Sequence, residues 1–138
     1  MNVEEVFAFM DEERLGVLST ARRDGQPEAA LMGIAVTPEL EIVFDTVRSS
    51  RKYPILKENP QVAWVVGCTT EVTVQYEGEA RELEGEELAR YKKIYFAKWP
   101  DGPTRESWPG ITYFVVRPKW VRYCDYNPGT RKIEEKEF

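Results

Sequence analysis

Short segments with the alternating pattern of β-strands, joined by tight turns, run through most of this sequence. Two of them, near residues 16–22 and 27–36, flank an Asp24-Gly25 dipeptide. That dipeptide is a strong hairpin signal, because both central positions of the tightest hairpin turns need a positive φ angle. A third strand is predicted from Leu40 to Thr46. Since short turns place consecutive strands side by side and antiparallel, the sequence predicts an antiparallel sheet.

The second half of the chain continues this pattern. Strands are expected at 61–66, 71–83 and 111–123, the last broken at Pro118, and helices near the N-terminus, over about 51–59 and over 86–96. Roughly six or seven strands in one small domain favour closure into a barrel. The predicted fold class is therefore an antiparallel β-barrel with flanking helices, an α+β arrangement. A polar tail from about Asn127 carries little to bury, and we expect it to be mobile.

Length and charge restrict the class of protein. A chain of 138 residues can enclose one hydrophobic core, so we expect a single domain over 1–138. Its formal net charge of −5 disfavours nucleic acid or an anionic membrane surface as a partner. The N-terminal segment is acidic and amphipathic, unlike a secretory signal, so the expected location is the cytoplasm. Cys68 and Cys124 lie far apart, without the spacing of a metal site or a disulfide framework.

Histidine is absent from the sequence. Its absence removes Ser-His-Asp and Cys-His triads, imidazole metal ligands and histidine-ligated heme. A histidine-free enzyme can still carry out redox chemistry when a cofactor supplies the reactive atoms and the protein binds and orients it. A cofactor site is therefore the functional feature to expect, and no catalytic side chain can be assigned.

The segment from Phe44 to Lys52 combines hydroxyl groups with three cations, where a strand is predicted to end and a helix to begin. Helix N-termini present unpaired amides, and arginine side chains match the oxygens of a phosphate. The pattern favours a phosphate site at Ser50, Arg51 and Lys52. The same residues also suit a solvated basic turn in which a serine caps the helix. The residue pattern alone leaves both interpretations open.

The sequence resembles the pyridoxamine 5′-phosphate oxidase-like family of FMN-binding split barrels. The resemblance lies in the stretches LSTARRDGQPEAALMGIAV, IVFDTVRSSRK, ENPQVAWVV and VQYEGEARELEG. It implies an antiparallel split β-barrel that works as a homodimer and binds FMN near the interface between the subunits. It also implies an oxidoreductase that acts on a small-molecule substrate or electron donor.

The resemblance assigns five residues to the phosphate end of FMN. Arg51 and Lys52 would bind the phosphate, Thr46 and Ser50 would supply hydroxyl contacts, and Asp45 would line the approach. This assignment favours the phosphate site over the solvated turn.

The resemblance also assigns residues to the flavin ring. Leu31 and Met32 match positions whose backbone groups meet the isoalloxazine edge, and Thr73 falls where the family often has a glutamine. Where the vitamin B6 phosphate oxidases of the family have cationic residues, this chain has Ala29 and Ile34, and it lacks their C-terminal Arg-x-His motif. Oxidation of vitamin B6 phosphates is therefore not expected.

Two other functions remain open beside an FMN-dependent oxidoreductase. One is a non-catalytic flavin carrier or redox sensor, and the other is a reductase that uses a deazaflavin cofactor. Trp99 and Trp108 lie in a Pro/Gly-rich loop over 97–110, and we expect them to form a lid on the substrate side.

Overall fold

The computed structural model describes residues 1–138. In chain order its elements are α1 (Val3–Glu13), β1 (Leu15–Ala21), β2 (Pro27–Gly33), β3 (Ala35–Val36), β4 (Ile42–Val47), α2 (Lys52–Glu58), β5 (Gln61–Val66), β6 (Val72–Glu82), α3 (Gly85–Lys98), a 3₁₀ helix (Gly102–Arg105), β7 (Ile111–Asp125) and β8 (Lys132–Glu137). None of the α-helices combines the length and the apolar composition that crossing a bilayer requires.

Every strand pair of the sheet is antiparallel. The strand order is β2-β1-β5-β6-β7-β4-β3, and β8 pairs with the second half of β7. Because β7 is 15 residues long, its first half can pair with β4 and its second half with β8, while β6 runs along its other side. The curled sheet and its helices confirm the predicted antiparallel α+β architecture.

The larger hydrophobic core lies on the inner face of the sheet and is closed by α1 and α2. Alternate residues of β1, β5 and β6 are buried there, as the two-residue period of a strand requires. The Phe44 ring stacks on Phe114 and meets Trp64 edge-on, each at 5.5 Å between ring centroids. A smaller cluster around Val43 and Tyr95 lies on the outer face, beneath α3. The strand β4 is therefore covered on both faces.

The hairpin predicted at Asp24-Gly25 is confirmed, since β1 and β2 pair along their whole length. Its turn differs from the tightest type, because only Gly25 has a positive φ, of 90°. The Gly25 N–H donates to the Arg22 carbonyl at 2.9 Å. A hairpin loop of this greater length needs a single left-handed residue, and glycine supplies it.

The expected break at Pro118 is wrong, because β7 runs without interruption from Ile111 to Asp125. The register of the β6–β7 ladder shifts between Glu77 and Gly78, and this β-bulge lets the strand pass the proline. The two backbones lie close together there, since a Cβ on Gly78 would be 2.5 Å from the Arg117 carbonyl oxygen. Glycine is therefore needed opposite the proline.

Three other boundaries differ from the sequence prediction. Leu40 has a φ of 65° and its N–H donates to Thr37, so it closes a turn and β4 begins two residues later. The helix α2 begins at Lys52, and the predicted strand 27–36 is divided into β2 and β3. The division falls at Ile34, whose N–H donates to Arg14 outside the sheet.

The polar C-terminal segment contains a strand that the sequence pattern does not mark. β8 pairs with Trp120 to Asp125 of β7. Its only apolar residue is Ile133, which is 44% exposed, so burial does not account for the strand. The strand forms because its backbone makes hydrogen bonds with the open edge of β7. The hydropathy pattern of the sequence does not reveal such pairing.

Candidate cofactor-binding site

Two hydroxyl groups come together where β4 leaves the sheet. Thr46 lies on the inner face, is 9% exposed, and donates a hydrogen bond from Oγ1 to Ser50 Oγ at 3.0 Å. Thr112, its neighbour on β7, donates to the Thr46 carbonyl at 3.2 Å. Ser50 Oγ accepts in this pair and donates to no other atom of the chain. Its hydrogen is therefore available to a bound anion.

The loop between β4 and α2 is folded as a turn and tied to the start of β7. The Ser50 N–H donates to Val47 at 2.9 Å, and the Arg48 N–H donates to Gly110 at 2.8 Å. The helix α2 has seven residues, and no side chain caps its N-terminus. Because so short a helix has a weak dipole, side-chain charge is the main attraction that this loop offers an anion.

Four cations lie between residues 48 and 57, and they fall into two pairs. Arg48 and Lys57 each place a nitrogen 3.6 Å from a carboxylate oxygen of Glu82. The hydrogen bond with Tyr53, and the charge of Glu82, raise the pKa of Arg48 above its ordinary value. Arg51 is exposed and Lys52 is half-buried, and neither takes part in an ion pair of the chain. These two cations are free to meet a phosphate.

Asp45 does not join this cluster. It lies on the outer face of β4, opposite Tyr113, and its Oδ2 accepts a hydrogen bond from Arg105 Nε at 2.9 Å. The two side chains are 15% and 17% exposed, and Arg105 also contacts Asp101 at 2.9 Å. Burial, and then the charge of Asp45, raise the pKa of Tyr113 to about 12. Asp45 thus holds the 3₁₀ helix against β4, and its role on the approach of a phosphate stays a prediction.

Leu31 and Met32 lie at an open edge of the sheet. β2 pairs only with β1, so alternate N–H and C=O groups of β2 point away from the sheet. Leu31 points outward and is 64% exposed, whereas Met32 points inward against the larger core. The outward neighbours of Leu31 along the cross-strand row are Val17 and Val65. The edge offers backbone donors and acceptors beside an apolar surface.

Thr73 lies away from the Thr46 cluster within the chain. It is near the start of β6, opposite Cys124, and its Oγ1 donates to the Val66 carbonyl at 3.3 Å. Glu82, beside the cluster, is nine residues further along the same strand, which is up to roughly 30 Å at the rise of an extended chain. The structure therefore does not bring Thr73 and Thr46 together in one copy.

Trp99 is held in place by three contacts. Its Nε1 donates to the Ile34 carbonyl at 2.9 Å, and the Arg14 guanidinium lies 4.4 Å from its ring centroid. A Cβ on Gly33 would lie 2.9 Å from the ring, so the indole packs directly on the backbone there. These contacts argue against a lid role for Trp99. Trp108 is 52% exposed, and its role as a lid stays a prediction.

The cluster is open in the single chain. Five main cavities have volumes between about 250 and 710 Å³, and none of them is lined by Thr46, Ser50, Arg51 or Lys52. A ligand at this cluster would stay exposed to water on one side. A cofactor held there needs further cover, from a loop or from a second copy of the chain.

Sequence reasoning missed three residues near the cluster, which are Tyr53, Glu82 and Thr112. The Tyr53 hydroxyl donates to Glu82 Oε1 at 2.6 Å. The three residues belong to α2, β6 and β7, so no local motif joins them. One signal was present: the two-residue period of β6 places Glu82 on the same face as the buried Val74, and a carboxylate on a buried face requires a partner.

Comparison with known proteins bears on the family. The model of the family described as pyridoxamine 5′-phosphate oxidase matches residues 3–125. None of the curated proteins matches the chain.

Three solved structures illustrate the similarity in fold. A heme-binding protein from Mycobacterium smegmatis has a TM-score of 0.81 at 16% identity, over 99% of this chain and 58% of that protein. A candidate pyridoxamine 5′-phosphate oxidase from Listeria innocua has a TM-score of 0.74 at 20% identity, over 88% and 96% of the two chains. The conserved hypothetical protein Rv2991 from Mycobacterium tuberculosis has a TM-score of 0.74 at 26% identity, over 91% and 85%.

These likenesses confirm the predicted split β-barrel. The chain spans 58% of the length of the heme-binding protein, so that protein's activity does not transfer to it as a whole. The family match extends from the start of α1 to the end of β7 and so includes every strand that positions the Thr46 cluster. The chain therefore belongs to the pyridoxamine 5′-phosphate oxidase family.

Proposed function

We propose that this protein binds FMN through its phosphate and uses the flavin to oxidise or reduce a small molecule. The observation that carries the proposal is the pair of unpaired cations, Arg51 and Lys52, beside the hydroxyls of Thr46 and Ser50. The flavin, when bound, supplies the hydride and electron chemistry. The part of the chain is to bind and orient it, which suits a protein without histidine.

The phosphate end is supported by the kind of donors present. Ser50 offers a free hydroxyl hydrogen, Arg51 a planar fork and Lys52 a mobile ammonium group. Each charge-assisted hydrogen bond contributes roughly 1.5–3 kcal/mol, so three of them account for firm binding of a phosphomonoester. Thr46 holds Ser50 in position through its own hydrogen bond.

The ring end is supported by the open edge of β2. An isoalloxazine ring carries donors and acceptors along one side and apolar carbons along the other. The backbone at Leu31 and Met32 provides the polar partners, and Leu31 with its cross-strand neighbour Val17 provides the contact surface.

A homodimer would complete the site. Leu15, Leu31 and Val65 are 43%, 64% and 44% exposed, and they lie on the outer side of adjacent strands. Large apolar side chains grouped in this way mark an interaction surface rather than a solvated one. A two-fold pair formed there has two equivalent sites, and Thr73 of one copy is then free to serve the site of the other.

Heme is the second candidate ligand, because the Mycobacterium smegmatis protein with this fold binds heme. Arg51 and Lys52 could pair with the heme carboxylates. The chain has no histidine for the iron, and heme leaves the Thr46 and Ser50 hydroxyls without a role. FMN accounts for both the cations and the hydroxyls.

Ligand titration separates these candidates. Purified protein is titrated with FMN, riboflavin, a deazaflavin and heme while absorbance and flavin fluorescence are recorded. We expect FMN to bind in the micromolar range or tighter and at least about 100-fold more tightly than riboflavin, which lacks the phosphate and with it all of the charge-assisted hydrogen bonds. Heme or deazaflavin binding tighter than FMN would overturn the FMN proposal.

In the flavin-loaded protein, anaerobic bleaching by NADH or NADPH supports an oxidoreductase, whereas inertness to both favours a carrier or sensor.

A further inference from the structure

Glu82 joins three parts of the phosphate end of the site. It is the last residue of β6, and its side chain is only 10% exposed. Tyr53, in the first turn of α2, donates to its Oε1 at 2.6 Å. Lys57, in the last turn of α2, lies 3.6 Å from the same oxygen, and Arg48, in the loop, lies 3.6 Å from the other.

This arrangement divides the charge of the loop. The stretch from Arg48 to Lys57 carries four cations and no acidic residue, so alone it would attract any polyanion. Glu82 forms ion pairs with Arg48 and Lys57, so a carboxylate of the chain itself faces both cations. Arg51 and Lys52 are left with no carboxylate partner. Two positive charges match one phosphomonoester, whose charge near neutral pH is about −1.5 to −2.

We propose that Glu82 is a specificity-determining residue that sets the charge of the anion accepted at this site. It favours a single phosphomonoester, such as the phosphate of FMN, over pyrophosphate and other more highly charged groups. The inference rests on the proposed FMN function and deepens it.

The physical basis is repulsion at moderate range. Two neighbour spacings in the sheet, from β6 across β7 to β4, place the Glu82 strand about 10 Å from the Thr46 strand. A buried carboxylate at that range repels a bound dianion and so weakens its binding, and it repels a trianion more strongly. Removing its charge also frees Arg48 and Lys57 to turn toward the ligand.

The test variant is Glu82→Gln, because a glutamine oxygen can still accept the Tyr53 hydrogen bond. The matched control is Glu79→Gln, which removes a carboxylate of the same strand that pairs with Lys119 instead. We expect Glu82→Gln to bind FMN about three- to tenfold more tightly and riboflavin unchanged. The affinity of inorganic pyrophosphate, measured by its competition with FMN, should rise more in this variant than the affinity of inorganic phosphate. Glu79→Gln should change none of these values.

A second variant keeps the inference testable if Glu82→Gln does not fold. Arg48→Gln combined with Lys57→Gln leaves the Glu82 charge without cations, so FMN should weaken by a similar factor while riboflavin is unaffected. An FMN-to-riboflavin affinity ratio that stays constant or falls in Glu82→Gln would overturn the role of Glu82. If the wild-type protein already binds both flavins equally, the phosphate site itself is wrong, and that failure is distinct from the failure of the Glu82 inference.

Discussion

Arg51 and Lys52 are available to bind an anion because, unlike the cations around them, they have no carboxylate partner in the chain. Arg48 and Lys57 lie against Glu82, and Arg105 lies against Asp45 on the opposite face of β4. Ion pairs of such exposed cations are worth only about 0–1 kcal/mol, so Glu82 biases where Arg48 and Lys57 point without fixing them there. The two without partners are those that sequence reasoning assigned to the phosphate.

Removing both cations should discriminate between flavins. In Arg51→Ala with Lys52→Ala, two charge-assisted hydrogen bonds to the phosphate are lost, so FMN should weaken about 100-fold or more while riboflavin changes little. Titration calorimetry with both flavins measures the ratio. The control is Arg22→Ala with Arg23→Ala, which removes the same charge from the exposed turn between β1 and β2. Equal losses for FMN and riboflavin would contradict the assignment.

The strand β7 organises the elements around the site. It carries Thr112 beside β4 and pairs on its other side with β6, whose last residue is Glu82. The bulge opposite Pro118 lets one strand extend over 15 residues and hold both neighbours. The position of Glu82 relative to Thr46 therefore depends on an intact β6–β7 ladder.

Gly78→Ala tests that dependence. The added Cβ would meet the Arg117 carbonyl oxygen at 2.5 Å, so the ladder must shift, and we expect the free energy of unfolding to fall by roughly 1–3 kcal/mol. Urea unfolding followed by tryptophan fluorescence measures it. Glu77→Ala, at the exposed neighbouring position of the same strand, serves as the comparison, because it adds no atom against the backbone. A loss in Gly78→Ala no larger than that in Glu77→Ala would show that the close contact is relieved at no cost.

The molecule as a whole leaves one apolar side open to water. The inner face of the sheet is covered by α1 and α2, and α3 covers the outer face only at β3, β4 and the first half of β7. The outer side of β1, β2 and β5 keeps Leu15, Leu31 and Val65 exposed. The proposed second copy would cover this apolar side and, with it, the proposed cofactor site.

Val65→Lys tests the proposed pairing. Val65 is already 44% exposed, so a lysine there should leave the fold of one chain intact while placing charge in the proposed interface. We expect sedimentation velocity to show a monomer and FMN binding to weaken together with the dimer. Trp108→Lys, which changes an exposed aromatic residue in the loop after α3, should remain dimeric. A Val65→Lys protein that sediments like the wild type would contradict the proposed interface.

Features encoded by neighbouring residues could be predicted from the sequence. The β1–β2 hairpin follows from Gly25, which can take a positive φ, and from the alternation on either side of it. The helix α2 ends where Asn59 precedes Pro60, because the residue before proline is pushed out of the helical region. The basic segment at Ser50 to Lys52 can likewise be recognised in the sequence, and it predicts an anion site. The absence of histidine predicts that a bound cofactor supplies any redox chemistry.

Features that depend on which distant segments become neighbours required the folded chain. Thr112 contacts Thr46, and Glu82 lies two strands away from it, only because the sheet runs in the order β6-β7-β4. The pairing of Asp45 with Arg105 requires α3 and the 3₁₀ helix to cross the outer face, and β8 exists because β7 offers it a free edge. Contacts of this kind form only when segments far apart in the sequence come together in the fold. Neither the hydrophobic period nor the residue types of a short segment predict them.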